Sequence, residues 1–391
     1  MLKKWTAILL AASLGLSAGC WDRQEVEESF VTIAAGVDTC PGNKLRFTEQ
    51  IPLPPPEAKG KATRTEKTAP TGPSFVTIST VADTFTDGAR KVHLNTPRGP
   101  LWQHAACYVF GENFSRQGFA GEIDWLQRNR QIRKIGYVFI TRNATVSEVL
   151  KVPTEVERIP AVALVSMIKN QDTSLGIYTP IKLGDFLGQS ITPGIEPTAP
   201  GVEIVEEGGK KRLRISGTAV FKQAKLVGWL NEKESRGYRW LRPTMIIGGT
   251  KVIKCPICDK PVLLDTLRST SKIKAEIKDG EIIMHIKIRE EGNFYEQKCR
   301  HQLVTPEMIP ILNREAEQLI AEQVRAAVTR AQELDSDIFG FGQALHSAYP
   351  REWTRLEEHW EEVFPTVKIE LDVQSEVRRS YLTTRTLEFR Y

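Results

Sequence analysis

The apolar residues in the first third of the chain follow two spacings, one typical of strands and one typical of helices. Residues 30–37 are apolar and β-branched, as in a buried strand, and residues 44–51 alternate as its hairpin partner. Two further strands are predicted at residues 105–110 and 136–141, on either side of a helical pattern at residues 114–127. A helix between two strands predicts a βαβ-type unit, in which the helix lies over a sheet.

Helical spacing also follows the first hairpin. Val76, Ile78, Val81, Phe85 and Ala89 fall on or near one face of a helix that would end before residue 95. We therefore expect a helix in this part of the chain.

The second half of the chain predicts an antiparallel sheet and a long helix. Residues 212–221 and 225–229 are predicted strands around a turn, and residues 273–288 form a predicted hairpin, because a central Asp-Gly pair suits a two-residue turn. A long amphipathic helix is predicted after the hairpin, with Thr305 as its N-cap and an apolar stripe from Leu312 to Leu334. A second helix is predicted at residues 352–364. A strand at residues 367–377 follows it, with an extension at residues 383–389.

Two stretches rich in proline and glycine separate these predicted elements. Residues 52–73 have almost no apolar side chain, which predicts an exposed loop, and residues 191–202 are the linker candidate. The fold class is therefore mixed α/β of the α+β type, with several domains. We expect an N-terminal βαβ-type domain at residues 20–190 and a C-terminal domain at residues 203–391, and a further division near residue 300 stays open.

The first twenty residues predict export. Two lysines precede an apolar stretch at residues 5–16, and the small residues 17–19 follow at once, as in a signal peptide. The apolar run is shorter than the roughly 20 residues of a membrane-spanning helix. Cys20 then stands where a bacterial lipobox places its acylated cysteine, although Ser17 replaces the usual leucine. We expect residues 1–19 to be removed and Cys20 to carry a lipid anchor; an exported protein whose first cysteine is incidental is the alternative.

Composition and charge narrow the class of function. The 391 residues are 41% hydrophobic and carry 53 Lys and Arg against 48 Asp and Glu, a net charge of +5. These scattered charges form no phosphate-binding stripe, so nucleic acid is not expected as a partner. The sequence has no HExxH motif and no phosphate-binding glycine loop, and the GxSxG pattern at residues 15–19 falls inside the predicted signal peptide; we therefore expect a protein that is not an enzyme.

Four residues in the second half have the spacing of a split metal site. Cys255 and Cys258 form a CxxC pair, and Cys299 and His301 follow about forty residues later. A CxxC pair lets two thiolates reach one tetrahedral ion, which makes zinc the candidate cofactor. A disulfide in an exported chain, or reduced cysteines packed as small hydrophobic residues, is the alternative.

Aromatic residues are concentrated near the end of the chain. Trp353 and Trp360 are seven residues apart and share a helix face, and Phe339, Phe341 and Phe364 lie nearby in the sequence. Such a face is usually core, so we expect packing; a docking surface for a partner is the alternative.

Four segments, which span nearly the whole mature chain, resemble the Ger(x)C proteins, the lipoprotein C subunits of bacterial spore germinant receptors. The segments are Gly19-Cys20-Trp21-Asp22-Arg23 before an apolar strand; Trp102-Gln103-His104 before the strand at 105–110, with Arg128, Ile132 and Arg133 before the next strand; Gly217-Thr218-Ala219-Val220-Phe221-Lys222 with Lys225-Leu226-Val227-Gly228; and Asp337-Ile338-Phe339-Gly340-Phe341-Gly342 with Pro350, Trp353, Trp360 and Phe364. Two features depart from the family pattern: Ser380 stands where a glycine is usual, and Cys258 adds a second cysteine to the expected Cys-Pro.

The resemblance implies a lipid-anchored, palmitoylated subunit on the outer face of the spore inner membrane. Its implied partners are a multi-pass A subunit and a transporter-like B subunit, and the family has mixed α/β domains and no assigned catalytic chemistry. A second hypothesis is that the exported lipoprotein binds the small-molecule germinant directly.

Overall fold

An eight-stranded mixed sheet forms the centre of the molecule. The computed structural model describes Trp5 and residues 26–54 and 72–380. The first ten strands are β1 (Ser29–Val31), β2 (Ala34–Cys40), β3 (Lys44–Pro52), β4 (Phe75–Ala82), β5 (Gly99–Leu101), β6 (Cys107–Phe110), β7 (Tyr137–Thr141), β8 (Thr198–Glu207), β9 (Lys210–Lys222) and β10 (Lys225–Leu230). Strands β1 and β5 form a separate parallel pair, and the other eight follow the order β10-β9-β8-β7-β6-β2-β3-β4.

Helices cover both faces of this central sheet. The helices of the first half are α1 (Phe85–Lys91), α2 (Glu112–Gln117), α3 (Ala120–Arg128), α4 (Val146–Val149), α5 (Pro160–Ser174) and α6 (Leu183–Ile191). Strands β2, β6, β7 and β8 run parallel in the middle of the sheet. On β6, Tyr108 and Phe110 face the core under α1, α2, α3 and α6, whereas Cys107 and Val109 face the core under α4 and α5. This double cover explains the continuous apolar runs of the parallel strands.

A second, five-stranded sheet carries the long helix of the chain. Its strands are β11 (Ile246–Ile247), β12 (Thr250–Lys254), β13 (Pro261–Lys278), β14 (Glu281–Gln297) and β15 (Lys368–Ser380), and the helices of this half are α7 (Glu232–Trp240), α8 (Ile309–Glu333), α9 (Phe341–Ala348), α10 (Pro350–Leu356) and α11 (Trp360–Val363). The β13–β14 hairpin turns at Asp279 and Gly280, both with positive φ, as predicted. The mixed α+β fold class is confirmed, but the predicted antiparallel sheet is wrong at one edge, because β15 pairs with β14 in parallel.

The predicted helix at residues 76–89 is wrong in its first half. Strand β4 occupies that part and pairs antiparallel with β3, and α1 begins only at Phe85 after the N-cap Thr84. The β-branched residues of this segment suit an edge strand, and pairing with β3 outweighs the helical spacing of its apolar positions. The helix predicted at residues 114–127 is divided into α2 and α3, because Gly118 adopts a φ of 89°.

Residues 191–202 differ from the linker that their prolines and glycines predict. Thr198 to Val202 are fully buried within β8, which lies between β7 and β9. Pro200 is tolerated inside the sheet because the ladder between β8 and β9 shifts register between Pro200 and Val202. The proline-rich stretch therefore leads directly into the central sheet.

Both halves of the chain contribute to one of the hydrophobic cores. Val220 of β9 and Leu230 of β10 pack in the same cluster as Met284 and Ile286 of β14 and Val324 of α8. Most of the predicted 52–73 loop, and the predicted strand extension at 383–389, lie outside the described residues. Within the described part of the chain, none of the helices combines the length and the apolar character that crossing a bilayer requires.

Candidate functional site

A buried carboxylate organises the Asp-Ile-Phe-Gly-Phe-Gly segment between α8 and α9. Asp337 Oδ1 accepts the backbone N–H groups of Phe339 and Phe341 at 3.2 and 3.1 Å. Its Oδ2 accepts the backbone N–H of Gly342 at 2.8 Å and the indole N–H of Trp360 at 3.0 Å. Burial raises the pKa of Asp337 to about 6, against the opposing effect of these four donors, so the group is ionised at neutral pH. The segment is a turn whose N–H groups surround one negatively charged carboxylate.

The aromatic residues of this region form a core around that turn. Trp353, Trp360, Phe341 and Phe364 are buried, and Trp353 meets Trp360 edge-to-face with their ring centroids 5.3 Å apart. Phe339 is half-buried and stacks on Phe341 at 5.2 Å. The packing hypothesis for the aromatic segment is therefore correct, and these four buried rings present no docking surface.

The same turn joins the two halves of the chain. The backbone N–H of Glu196 donates to the Asp337 carbonyl oxygen at 2.8 Å, and Ser336 Oγ donates to the carbonyl of Phe221 on β9 at 2.6 Å. Gly194 and Gly342 are in close backbone contact, since a Cβ on Gly342 would lie 2.5 Å from Gly194 Cα. We call this contact between residues 194–196 and residues 336–342 the seam. It leaves no room for side chains at the two glycines.

A second buried carboxylate anchors the Trp102-Gln103-His104 segment. Glu49 on β3 is fully buried; its Oε1 accepts the indole N–H of Trp102 at 3.0 Å, and its Oε2 accepts the hydroxyl of Thr32 at 2.7 Å. Burial raises the pKa of Glu49 to about 7, because two hydrogen bonds offset only part of the desolvation. Trp102 is therefore a structural partner of a buried acid.

Three further buried charges have no signal in the sequence. Lys251 Nζ lies 2.5 Å from Glu290 Oε1, and both side chains are almost completely buried. Arg239 is also buried, and its Nε donates to Asp172 Oδ1 at 2.9 Å. The partners lie 39 and 67 positions apart along the chain, so neither pair could be found by local spacing. Each of these groups is paired with a protein partner.

The structure brings together three of the four predicted metal ligands. The Sγ atoms of Cys255, Cys258 and Cys299 all lie within 4.8 Å of one another. Cys255 follows β12 and Cys299 follows β14, so both sit at the same end of the second sheet. The imidazole of His301 is not part of this group and its residue is exposed, so its role as a ligand stays a prediction.

Backbone amides point at two of the three sulfur atoms. The N–H groups of Ile257 and Cys258 donate to the Cys255 sulfur, and the N–H of His301 donates to the Cys299 sulfur. Burial raises the pKa of the Cys255 thiol, but these amides and the neighbouring thiols outweigh it, and the net pKa lies below the usual value. Burial, together with the negative charge of its neighbours, raises the pKa of Cys299.

An open cleft lies on the face of the sheet that α5 covers. Its volume is about 770 Å³, and its apolar lining includes Met167 of α5 and Leu213 of β9. Glu155 and Lys210 form an ion pair of 2.7 Å at its rim. A cleft of this size has the dimensions of a small-molecule site.

The predicted lipidation site, Cys20, lies outside the described residues.

Two family models match the chain. The model described as "Spore germination protein N-terminal domain" matches residues 22–204, and "Spore germination B3/ GerAC like, C-terminal" matches residues 216–381. The chain belongs to the Ger(x)C family. The boundary between the two matched segments of this Ger(x)C chain falls in the β8–β9 hairpin, inside the central sheet.

Curated relatives extend over almost the whole Ger(x)C chain. Spore germination protein KC of Bacillus subtilis (strain 168) is 22% identical over 405 residues, which cover 98% of each chain. Spore germination protein B3 of the same strain is 22% identical over 369 residues, which cover 92% of this chain and 93% of that protein. These relatives are spore germination proteins, and their names state no enzymatic reaction.

A solved structure shares the fold of this Ger(x)C chain. The crystal structure of the GerBC protein matches with a TM-score of 0.57 at 18% sequence identity, covering 88% of this chain and 96% of that one. The similarity supports the arrangement of sheets and helices described above.

Substitution of Gly342 by alanine is expected to destabilise the seam. The added Cβ would meet Gly194 Cα at 2.5 Å and the Trp353 ring at 2.7 Å, which is overpacking. We expect Gly342→Ala to lower the free energy of unfolding by about 1–3 kcal/mol in chemical denaturation. Gly121→Ala is the control, because a Cβ there meets nothing within 4 Å and α3 gains a better helix former. Equal stability of the two variants would contradict the tight seam.

The buried carboxyls predict that stability falls as the pH rises. The pKa is raised to about 6 for Asp38 and Asp337, and to about 7 for Glu49 and Glu196, chiefly by burial. A raised pKa means that the folded chain binds the proton more tightly than the unfolded chain. The stabilisation is present below about pH 4 and is lost as the pH rises through 6 to 7. For Glu49 the shift from 4.5 to about 7 corresponds to about 3 kcal/mol.

Glu49→Gln tests this pH dependence. We expect the variant to show a flatter decline of Tm than the parent chain between about pH 5 and pH 8, measured by circular dichroism, since glutamine does not titrate. Glu155→Gln is the matched control, because Lys210 lowers the pKa of that exposed carboxyl and places its titration below the window. An unchanged slope in Glu49→Gln would show that Glu49 titrates normally.

Proposed function

We propose that this chain is the lipid-anchored, non-enzymatic C subunit of a spore germinant receptor. It acts beside the transmembrane A and B subunits at the outer face of the spore inner membrane and is required for nutrient-triggered germination. The observation that carries the proposal is the match to spore germination proteins, among them KC, over nearly the full length of the chain. No bound nucleic acid or catalytic cofactor enters the mechanism.

The anchor follows from the amino-terminal sequence. A diacylglyceryl thioether at Cys20, together with further acylation, holds a protein at a bilayer far more firmly than one chain does. Five residues lie between Cys20 and Val26, where the described body of the chain begins, and the six residue steps from Cys20 to Val26 span at most about 20 Å. The folded body would therefore stay close to the membrane surface, where its partners lie.

The buried carboxylates of the described residues are engaged in hydrogen bonds within the protein. Glu49, Asp337 and Glu290 each have their oxygens occupied by protein donors, so none is positioned to act as a general acid or base. What the anchor contributes is concentration: confinement to the bilayer raises the effective concentration of the subunit at its partners without any new contact.

Removal of the acylated cysteine tests the proposal. We expect Cys20→Ala to move the protein out of the spore membrane fraction and to slow nutrient-triggered germination strongly, because no other membrane attachment is proposed. The measurements are immunoblots of fractionated spores and loss of optical density after nutrient addition. Cys40→Ala is the control, since it removes a half-buried cysteine of β2 from the folded body. A Cys20→Ala protein that stays in the membrane fraction and supports normal germination would overturn the anchor.

A second candidate function is direct capture of the germinant in the cleft beside α5. The cleft offers apolar walls from Met167, Ala163 and Leu213 and charged groups at its rim, a pattern that suits a small amphipathic nutrient. Isothermal titration of the full chain with amino acids, sugars and nucleosides separates the two functions. Saturable heat that Met167→Trp abolishes would favour capture, whereas no heat with any nutrient favours the assembly role alone.

A further inference from the structure

Three cysteine sulfurs converge at one end of the second sheet. Cys255 and Cys258 lie in the turn between β12 and β13, and Cys299 lies in the segment that leads from β14 to α8. All three sulfurs are within 4.8 Å of one another. Cys255 and Cys299 are 0% and 6% exposed, and Cys258 is half-buried. The fold of the second sheet brings the three thiols together.

The number of thiols decides between the possible partners. A disulfide uses two sulfurs and would leave the third as a weak donor in an apolar site. A thiophilic cation uses all three, and sulfur–sulfur separations of this size fit ligands at about 2.3 Å from one Zn²⁺ ion. The odd count therefore favours a metal over a disulfide.

Hydrogen bonds hold both loops in place for ligation. The Cys255 N–H donates to the Lys260 carbonyl at 2.8 Å, and the Asp259 N–H donates to the Cys255 carbonyl at 2.9 Å. Gln297 Nε2 donates to the carbonyls of Cys299 and His301 at 2.9 and 2.8 Å. Hydrogen bonds to the backbone around the ligands fix the orientation of the cysteines before an ion binds.

We propose that Cys255, Cys258 and Cys299 bind one zinc ion, and that this ion fixes the end of the second sheet to the start of α8. The ion would lie beside a small hydrophobic core to which Ile253, Leu264, Phe294, Leu303 and Leu312 contribute. The site is structural: it joins the β12–β13 turn to the segment before α8, beside the core that both parts of the chain share.

Metal content of the full chain tests the site. The chain, carrying a tag without histidine and purified in detergent without chelator, is analysed by inductively coupled plasma mass spectrometry. We expect about one zinc per chain. Replacement by Co²⁺ should give an intense near-ultraviolet thiolate-to-metal charge-transfer band together with the visible bands of a tetrahedral ion. Chelation should lower the Tm by several degrees, and added Zn²⁺ should restore it.

Variants separate this centre from incidental metal. Cys258→Ser replaces the most exposed of the three ligands, and we expect it to lose at least tenfold in zinc affinity and to lose the cobalt charge-transfer band. Cys40→Ser is the control and should keep both, because Cys40 lies on β2 in the other half of the chain. Because Cys258→Ser could also fail to fold, circular dichroism accompanies it, and the parent chain is decisive by itself. A reduced parent chain that takes up neither Zn²⁺ nor Co²⁺, or a native Cys255–Cys258 disulfide in peptide mapping, would overturn the proposal.

Discussion

The ionised carboxylate of Asp337 constrains the junction of the two sheets. A buried charge is tolerated only when donors replace its water, and Asp337 receives two on each oxygen. These donors come from the turn after α8, the first turn of α9 and the indole of Trp360, so all three must be in place together. Since the carbonyl of the same residue accepts the N–H of Glu196, the turn also fixes the segment that enters β8. The proline-rich stretch is thereby part of a packed seam.

Sequence patterns predicted the elements that are stabilised locally. The β13–β14 hairpin follows from its Asp-Gly turn, and α8 follows from one continuous apolar stripe. Strand β4 and the burial of Pro200 could not be predicted in this way, because each depends on a neighbour that is distant in sequence: β3 for the first, and the register shift against β9 for the second. Tertiary pairing decided both cases against the local preference.

The candidate sites also differ in whether a local sequence pattern reveals them. A CxxC pair is visible as a motif, and a third cysteine is a plausible partner by count, so the thiol group could be found before the fold was known. Single acids within strands, such as Glu49 and Glu290, look like ordinary surface residues until the strands are assembled. Their partners, Trp102 and Lys251, lie on other elements, and no spacing rule connects them.

A body built in this way limits how an anchored subunit can respond to its partners. Val220 and Leu230 of the central sheet share a core with Met284 and Val324 of the second half, so opening the halves would expose apolar surface and strip the donors from Asp337. With a tether of at most about 20 Å, the favourable movement under the proposed anchoring is displacement of the whole body over the membrane. Contact faces for the transmembrane partners should therefore be sought on surfaces that stay exposed in this one arrangement, and not in a cleft that opens between the halves.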